Sequence, residues 1–161
     1  MSSSNNAAEL QELLSEFDNG MLVTVDNKRL HARPMHIAER KEASRLTFAT
    51  EKAADKVKEV MLEEHVAVTF QADGKFISVS GIANLSDDSS RIRALWNKAW
   101  DIWFEGDADS AEVDLIDVNI VTAEYWDMTG NNRLRFAFEA GKAMLKDSTI
   151  ETQKLSGHGS V

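Results

Sequence analysis

Apolar positions recur along this chain with two different periods, and the switch from one to the other lays out its elements. Leu10, Leu13, Leu14 and Phe17 fall at i, i+3, i+4 and i+7, which predicts an amphipathic helix over residues 7–18 that ends at Asn19-Gly20. Residues 21–37 then read as a β-hairpin reversing at Asn27-Lys28, between two runs rich in strand formers. Arg45-Leu-Thr-Phe-Ala-Thr50 predicts a third strand, reached through the polar stretch 38–44. Thr50 is placed to end that strand and cap a helix over residues 52–63, with Val57, Val60 and Met61 inward. Residues 66–71 and 76–82 flank an Asp-Gly pair, a strong hairpin signal, and give strands four and five.

Asp87-Asp-Ser-Ser90 supplies helix-starting residues, and Ile92, Leu95, Trp96 and Ala99 repeat at helical spacing through to about Trp103. After an acidic loop at 105–110, residues 113–121 alternate as a sixth strand and 123–127 as a seventh, with a bend at Thr122. Leu134, Phe138, Gly141 and Leu145 share one helical stripe, predicting a C-terminal helix over about 132–146, followed by a mobile tail over about 148–161. The order α-β-β-β-α-β-β-α-β-β-α links most neighbouring strands by hairpins. It predicts a mainly β, α+β fold, an antiparallel barrel with peripheral helices, in one domain spanning 1–161 with its core at about 7–127.

Composition narrows the chemistry. A chain of 161 residues is large enough to bury roughly two thirds of its unfolded surface without covalent staples. It has no cysteine, which excludes disulfides, thiolate metal sites and thiol catalysis, so any redox chemistry must come from a bound group. The absence of a roughly 20-residue apolar run and of a signal-like start favours a cytoplasmic protein without membrane attachment. A net charge of -9 argues against nucleic-acid binding, yet two or three local cations can still hold one phosphate.

The usual dinucleotide, P-loop and α/β-hydrolase signatures are missing. His31 and His36 lie five apart on a predicted strand and point to opposite faces, poor geometry for a shared metal, and no metal site is expected. The acidic loop lacks the EF-hand pattern and reads as solvated. Trp96 fits a buried helix stripe, whereas Trp103 and Trp126 sit near element ends, where core packing and a cleft are both open readings.

The most suggestive set is distributed. Arg33 on strand two offers a bidentate fork, Thr50 a hydroxyl, and Lys56 a point charge near a helix start, together a plausible phosphate clamp. Pro34, the only proline, cannot donate to a sheet ladder, so its strand lies at an edge, a bulge or beside something other than a strand. On these residues alone, Arg33 as a solvated charge and Pro34 as an edge guard remain open. Ser78 and Ser80 on strand five add hydroxyls, although alternating serines also mark a solvent face.

The ordered set Met21-Leu-Val-Thr-Val25, His31-Ala-Arg-Pro-Met35, Phe48-Ala-Thr50, Lys56-Val57, Val79-Ser-Gly81, Trp96, Trp103-Phe104 and Ala123-Glu-Tyr-Trp-Asp127 resembles the pyridoxamine 5′-phosphate oxidase-like FMN-binding split barrels, within them the general stress protein 26 group. The resemblance implies a six-stranded split barrel, a homodimer, and FMN in clefts at the subunit interface. It implies that Arg33 and Lys56 bind the FMN phosphate, that Thr50 assists, and that backbone around Arg33, Pro34 and Met35 lines the flavin. The resemblance further implies cofactor contacts, by position, at Ser80 and Trp103. Where relatives often carry serine and another polar residue just before the lysine, this chain has Ala54 and Asp55. The implied function is a stress-response-type, flavin-dependent oxidoreductase of unknown substrate. The alternatives are a non-catalytic FMN store or sensor, and a flavin-free interaction domain on the same barrel.

Overall fold

A computed structural model describes residues 3–130 and 134–140. Eleven elements follow in chain order: α1 (Ser3–Ser15), β1 (Asn19–Asp26), β2 (Arg29–Lys41), β3 (Arg45–Glu51), α2 (Asp55–Leu62), β4 (His65–Ala72), β5 (Lys75–Ser86), α3 (Ser89–Leu95), α4 (Lys98–Trp103), β6 (Val113–Asp127) and β7 (Leu134–Glu139).

All strand pairs are antiparallel. The sheet runs β3-β2-β1-β4-β5-β6-β7, and a further pairing of β3 with β6 closes six of the strands into a barrel. Two connections are two-residue turns with both central residues at positive φ, Asn27-Lys28 and Asp73-Gly74. That geometry matches the twist of the flanking strands. Asn27 and Gly74 adopt it readily, whereas Lys28 does so at a cost.

Alternation along each strand separates the barrel interior from its outer surface. Leu22, Ile37, Leu46, Phe48, Val68, Ile77, Val79, Ile116 and Val118 are buried in one cluster. Leu10 and Leu14 of α1 and Phe17 just beyond its end join it, with Phe17 against Phe70, and burial of each contributes about 1.5–3 kcal/mol. Arg40 ties this helix down through the Leu14 and Phe17 carbonyls. A second cluster lies outside the barrel, where Trp100 of α4, Ile92 of α3 and Leu115 of β6 pack with Ala38, Ala49, Trp96 and Phe104.

Several expectations are corrected. The sixth and seventh strands are one, β6, and the irregularity is a bulge beside Thr122. There Ser80 faces Thr122 and Gly81 faces Ile120, leaving Val121 as the extra residue. Gly81 permits this because a Cβ would meet the Asn119 carbonyl oxygen at 2.5 Å. The expected single helix up to Trp103 is two, because Trp96 turns extended and Asn97 starts a new helix by accepting from the Ala99 N–H. Trp96 is therefore half-buried beside the break, its indole N–H donating to Asp101 at 2.7 Å.

The helical reading of Leu134 and Phe138 also fails. Residues 134–139 form β7 against 122–127 of β6, where hydrogen bonding to a free strand edge overrides a sparse 3.6-residue pattern. The remainder of the expected C-terminal helix, with Gly141 and Leu145, lies outside the described residues, as does the tail over 148–161. In α2, Met61 is 73% exposed rather than inward, and the N-cap is Ala54, not Thr50. Among the described residues, no helix is long and apolar enough to cross a membrane.

Candidate functional site

The site begins where two strands part. β2 and β3 are paired from Lys41↔Arg45 to Ile37↔Phe48, with a bulge at Ala38; beyond that point β2 continues along β1 while β3 continues along β6. Between them opens a cleft of about 370 Å³. It is lined on the β2 side by Pro34, Met35, His36 and Ala38, and on the β3 side by Ala49, Thr50 and Glu51. Trp100, Trp103 and Phe104 form its aromatic wall, and Ala54 and Lys56 stand at the start of α2.

The backbone of β2 explains the proline. The Ile37 N–H donates to the Asp18 carbonyl on the β1 side at 2.9 Å. Strand alternation therefore sends the N–H and C=O of His36, and the nitrogen and C=O of Pro34, toward the cleft. The proline costs no ladder bond there, because no strand faces it.

Arg33, of opposite parity, points to the mouth of the barrel, and α2 lies across that mouth. Arg33 Nη2 donates to Glu59 Oε2 at 2.7 Å and Nη1 donates to the Thr24 hydroxyl. Thr24, itself fully buried, donates to Glu59 Oε2, and His31 Nδ1 lies 2.8 Å from Glu59 Oε1. Burial alone would raise the Glu59 pKa, but hydrogen bonds from Thr24, His31 and Arg33 outweigh it and hold it near 2.

Lys56 sits three residues before Glu59 and donates to Thr50 Oγ1 at 3.1 Å. Partial burial lowers its pKa, and the neighbouring Arg33 charge lowers it further. Arg33 and Lys56 both line a polar hollow of about 700 Å³, with His31, Asp55, Lys58 and Glu59 on its walls. Lys56 belongs to the cleft as well, so it joins the two spaces.

Six of the seven residues expected from sequence thus converge: Pro34, Met35, Thr50, Lys56 and Trp103 on the cleft, and Arg33 on the adjoining hollow. Ser80 does not join them. It is exposed on the outer face of β5, beside another, mainly apolar hollow of about 420 Å³ lined by Val23, Val25, Leu30, Ile82 and Val121.

The sequence reading missed four groups. Glu59 lies between the inward Val57 and Val60, a position that could have flagged a buried carboxylate. Thr24 and His31 are facing partners in the β1–β2 register and share the barrel-mouth side with Arg33. His36 is exposed, yet its ring packs edge-on to Trp103 at 5.6 Å and its Nδ1 lies 3.1 Å from Asn19 Oδ1. Asp26, His31 and Glu59 bring ligand-type atoms within 4.8 Å of one another. Three hydrogen-bond partners already occupy both Glu59 oxygens, so the group is a counter-ion for Arg33.

The donor set fits a phosphorylated, flat heteroaromatic ligand. One end offers two cations and a hydroxyl; the other offers backbone donors and acceptors facing an aromatic wall.

Comparison with known proteins agrees with this fold. A protein related to general stress protein 26 of Bacillus subtilis, from Clostridium acetobutylicum, superposes with a TM-score of 0.72 at 13% identity, over 89% of this chain and 99% of that one. General stress protein 26 from Bacillus anthracis gives 0.65 at 24% identity, over 73% and 92%. A pyridoxamine 5′-phosphate oxidase-related, FMN-binding protein from Nostoc punctiforme gives 0.66 at 14% identity, over 95% and 94%. No curated protein matches the sequence. Residues 5–151 match the sequence family described as pyridoxamine 5′-phosphate oxidase like, and the chain belongs to that family.

Proposed function

We propose that the cleft holds FMN, with its phosphate at the Arg33, Thr50 and Lys56 end and its ring system against the Pro34–His36 backbone and Trp103. The observation that carries this reading is the parting of β2 and β3, which leaves unpaired backbone facing a phosphate-binding set of side chains. Bound FMN would supply electron transfer, chemistry that a cysteine-free chain cannot perform alone. The chain's own groups grip the phosphate, orient the ring edge and restrict water. The activity proposed is that of a flavin-dependent oxidoreductase of the stress-response type.

The unit of function is a homodimer. Leu30 is 73% exposed and Val121 45% exposed, and with Val23, Val25 and Ile82 they form an apolar outer face. Leu30 shares the outward side of β2 with Pro34 and His36, so a second chain seated on this face overhangs the cleft. That arrangement would bring Ser80 of the second chain toward the flavin.

An absorbance spectrum of the purified protein tests the cofactor, and flavin bands with FMN released on denaturation are expected. Arg33→Ala with Lys56→Ala should lower FMN affinity far more than riboflavin affinity, because riboflavin lacks the phosphate. Equal losses would place the phosphate elsewhere. Rapid-mixing reduction by NADH or NADPH separates an oxidoreductase from an FMN store, which would show no rate above that of free flavin.

A further inference from the structure

Glu59 is the buried charge that the FMN reading leaves without a task. It is 6% exposed, lies on the barrel side of α2, and receives hydrogen bonds from three directions. A carboxylate beside an arginine expected to bind phosphate is at first sight counterproductive, since it repels the ligand and occupies part of the guanidinium. Its geometry gives a different answer. Glu59 Oε2 and the Thr24 hydroxyl take one N–H from each Arg33 terminal nitrogen, leaving Nε and one hydrogen on each of those nitrogens for a ligand. Thr24 is fully buried on β1 and Glu59 on α2, so the guanidinium is held from two elements at once. The same helix carries Lys56 one turn earlier, which fixes the spacing between the two cations.

We propose that Glu59 is a positioning residue: with Thr24 it clamps the Arg33 guanidinium at the barrel mouth, so that Arg33 and Lys56 present a prearranged two-cation site to the phosphate of the flavin. The inference rests on the FMN reading above. Holding a long, flexible side chain before the ligand arrives removes an ordering cost from binding, and that gain is specific to the phosphate.

Glutamine tests position against charge. Its carbonyl oxygen can accept from Arg33 and Thr24 as Oε2 does, while its amide N–H donates to His31 Nδ1 in the tautomer that leaves this nitrogen bare. Kd values for FMN and riboflavin are measured by flavin fluorescence for the wild type, Glu59→Ala, Glu59→Gln and Thr24→Val. Glu59→Ala should weaken FMN about tenfold or more and riboflavin less than about threefold, the scale of one charge-assisted hydrogen bond. Glu59→Gln should keep FMN affinity within about threefold of wild type, and Thr24→Val should lose FMN affinity selectively.

Wild-type FMN affinity in Glu59→Ala overturns the inference, as does an equal loss of both flavins. So does a loss in Glu59→Gln as large as in Glu59→Ala. If the alanine variant does not fold, Thr24→Val decides, and an unchanged FMN-to-riboflavin ratio there overturns the clamp. A wild-type protein that holds both flavins equally overturns the FMN reading itself, whereas a wild-type preference untouched by these substitutions overturns the inference alone.

Discussion

Ile37 and Phe48 are the last facing residues of β2 and β3 before the two strands part, and the candidate cofactor cleft is the gap beyond them. The barrel makes this site with backbone as much as with side chains. β2 keeps β1 as its neighbour and loses β3 at the point where the proline needs no partner.

Trp103 closes the open side of that gap. It is 51% exposed and touches the His36 ring, so it contributes little to the core. Trp103→Ala should leave the thermal midpoint nearly unchanged. It should weaken flavin binding several-fold, consistent with an aromatic contact worth about 0.5–1.5 kcal/mol, and relieve quenching of flavin fluorescence on binding. A large fall in the midpoint would instead make Trp103 a packing residue.

The start of α2 lacks a side-chain cap, since Ala54 is the N-cap in extended conformation with no hydrogen bond from its side chain. Ala54→Ser should stabilise the protein by about 1 kcal/mol in denaturant titrations, by satisfying an orphan helix N–H. The same hydroxyl lies on the cleft wall beside Lys56, so FMN affinity should rise rather than fall.

On the far side of β3, Arg91 of α3 grips Asp117 of β6 with two hydrogen bonds of 2.7 and 2.9 Å, and the Thr47 hydroxyl donates to the same carboxylate at 2.6 Å. Arg45 Nε is buried without a hydrogen bond, 3.6 Å from Asp117 Oδ1, and depends on that charge. Asp117→Ala should cost about 3 kcal/mol in equilibrium unfolding, because it leaves Glu39 alone to balance Arg45 and Arg91. Asp117→Leu should cost nearly as much, which distinguishes loss of charge from loss of volume.

Acid should loosen the barrel mouth late. Glu59 has a folded-state pKa of about 2 against an ordinary value of 4.5, so its contribution to stability is fully present above 4.5 and is lost as pH falls toward 2. Unfolding free energies of wild type and Glu59→Gln should therefore converge across that window. Parallel curves would show that the carboxylate is not held in its charged form by the fold.

The barrel was legible because its evidence is local: alternation, two tight reversals and the Asn19-Gly20 stop each act over a few residues. Pro34, Thr50 and Lys56, which line one cleft, could be singled out from sequence because proline, hydroxyl and lysine each carry a restricted chemistry. Glu59 was not, since its role depends on Thr24 and His31, 35 and 28 positions away in the chain. β7 was misread because its partner edge on β6 becomes available only beyond the end of β3, a fact of register that no local period encodes. Ser80 stands apart from the cleft within one chain, and spacing along a strand does not say which way round the barrel its face looks.

Closure of the barrel joins Arg45 to Asn119 and Glu51 to Val113. Contacts of such long sequence separation make folding slow, because the chain loses the entropy of a large loop before the pairing compensates. The wall of the cleft formed by Ala49, Thr50 and Glu51 is fixed by that same pairing. The site is thus complete only when that long-range pairing is made. A ligand that binds across it would act as a lock on the closed state, stabilising the barrel closure and slowing unfolding.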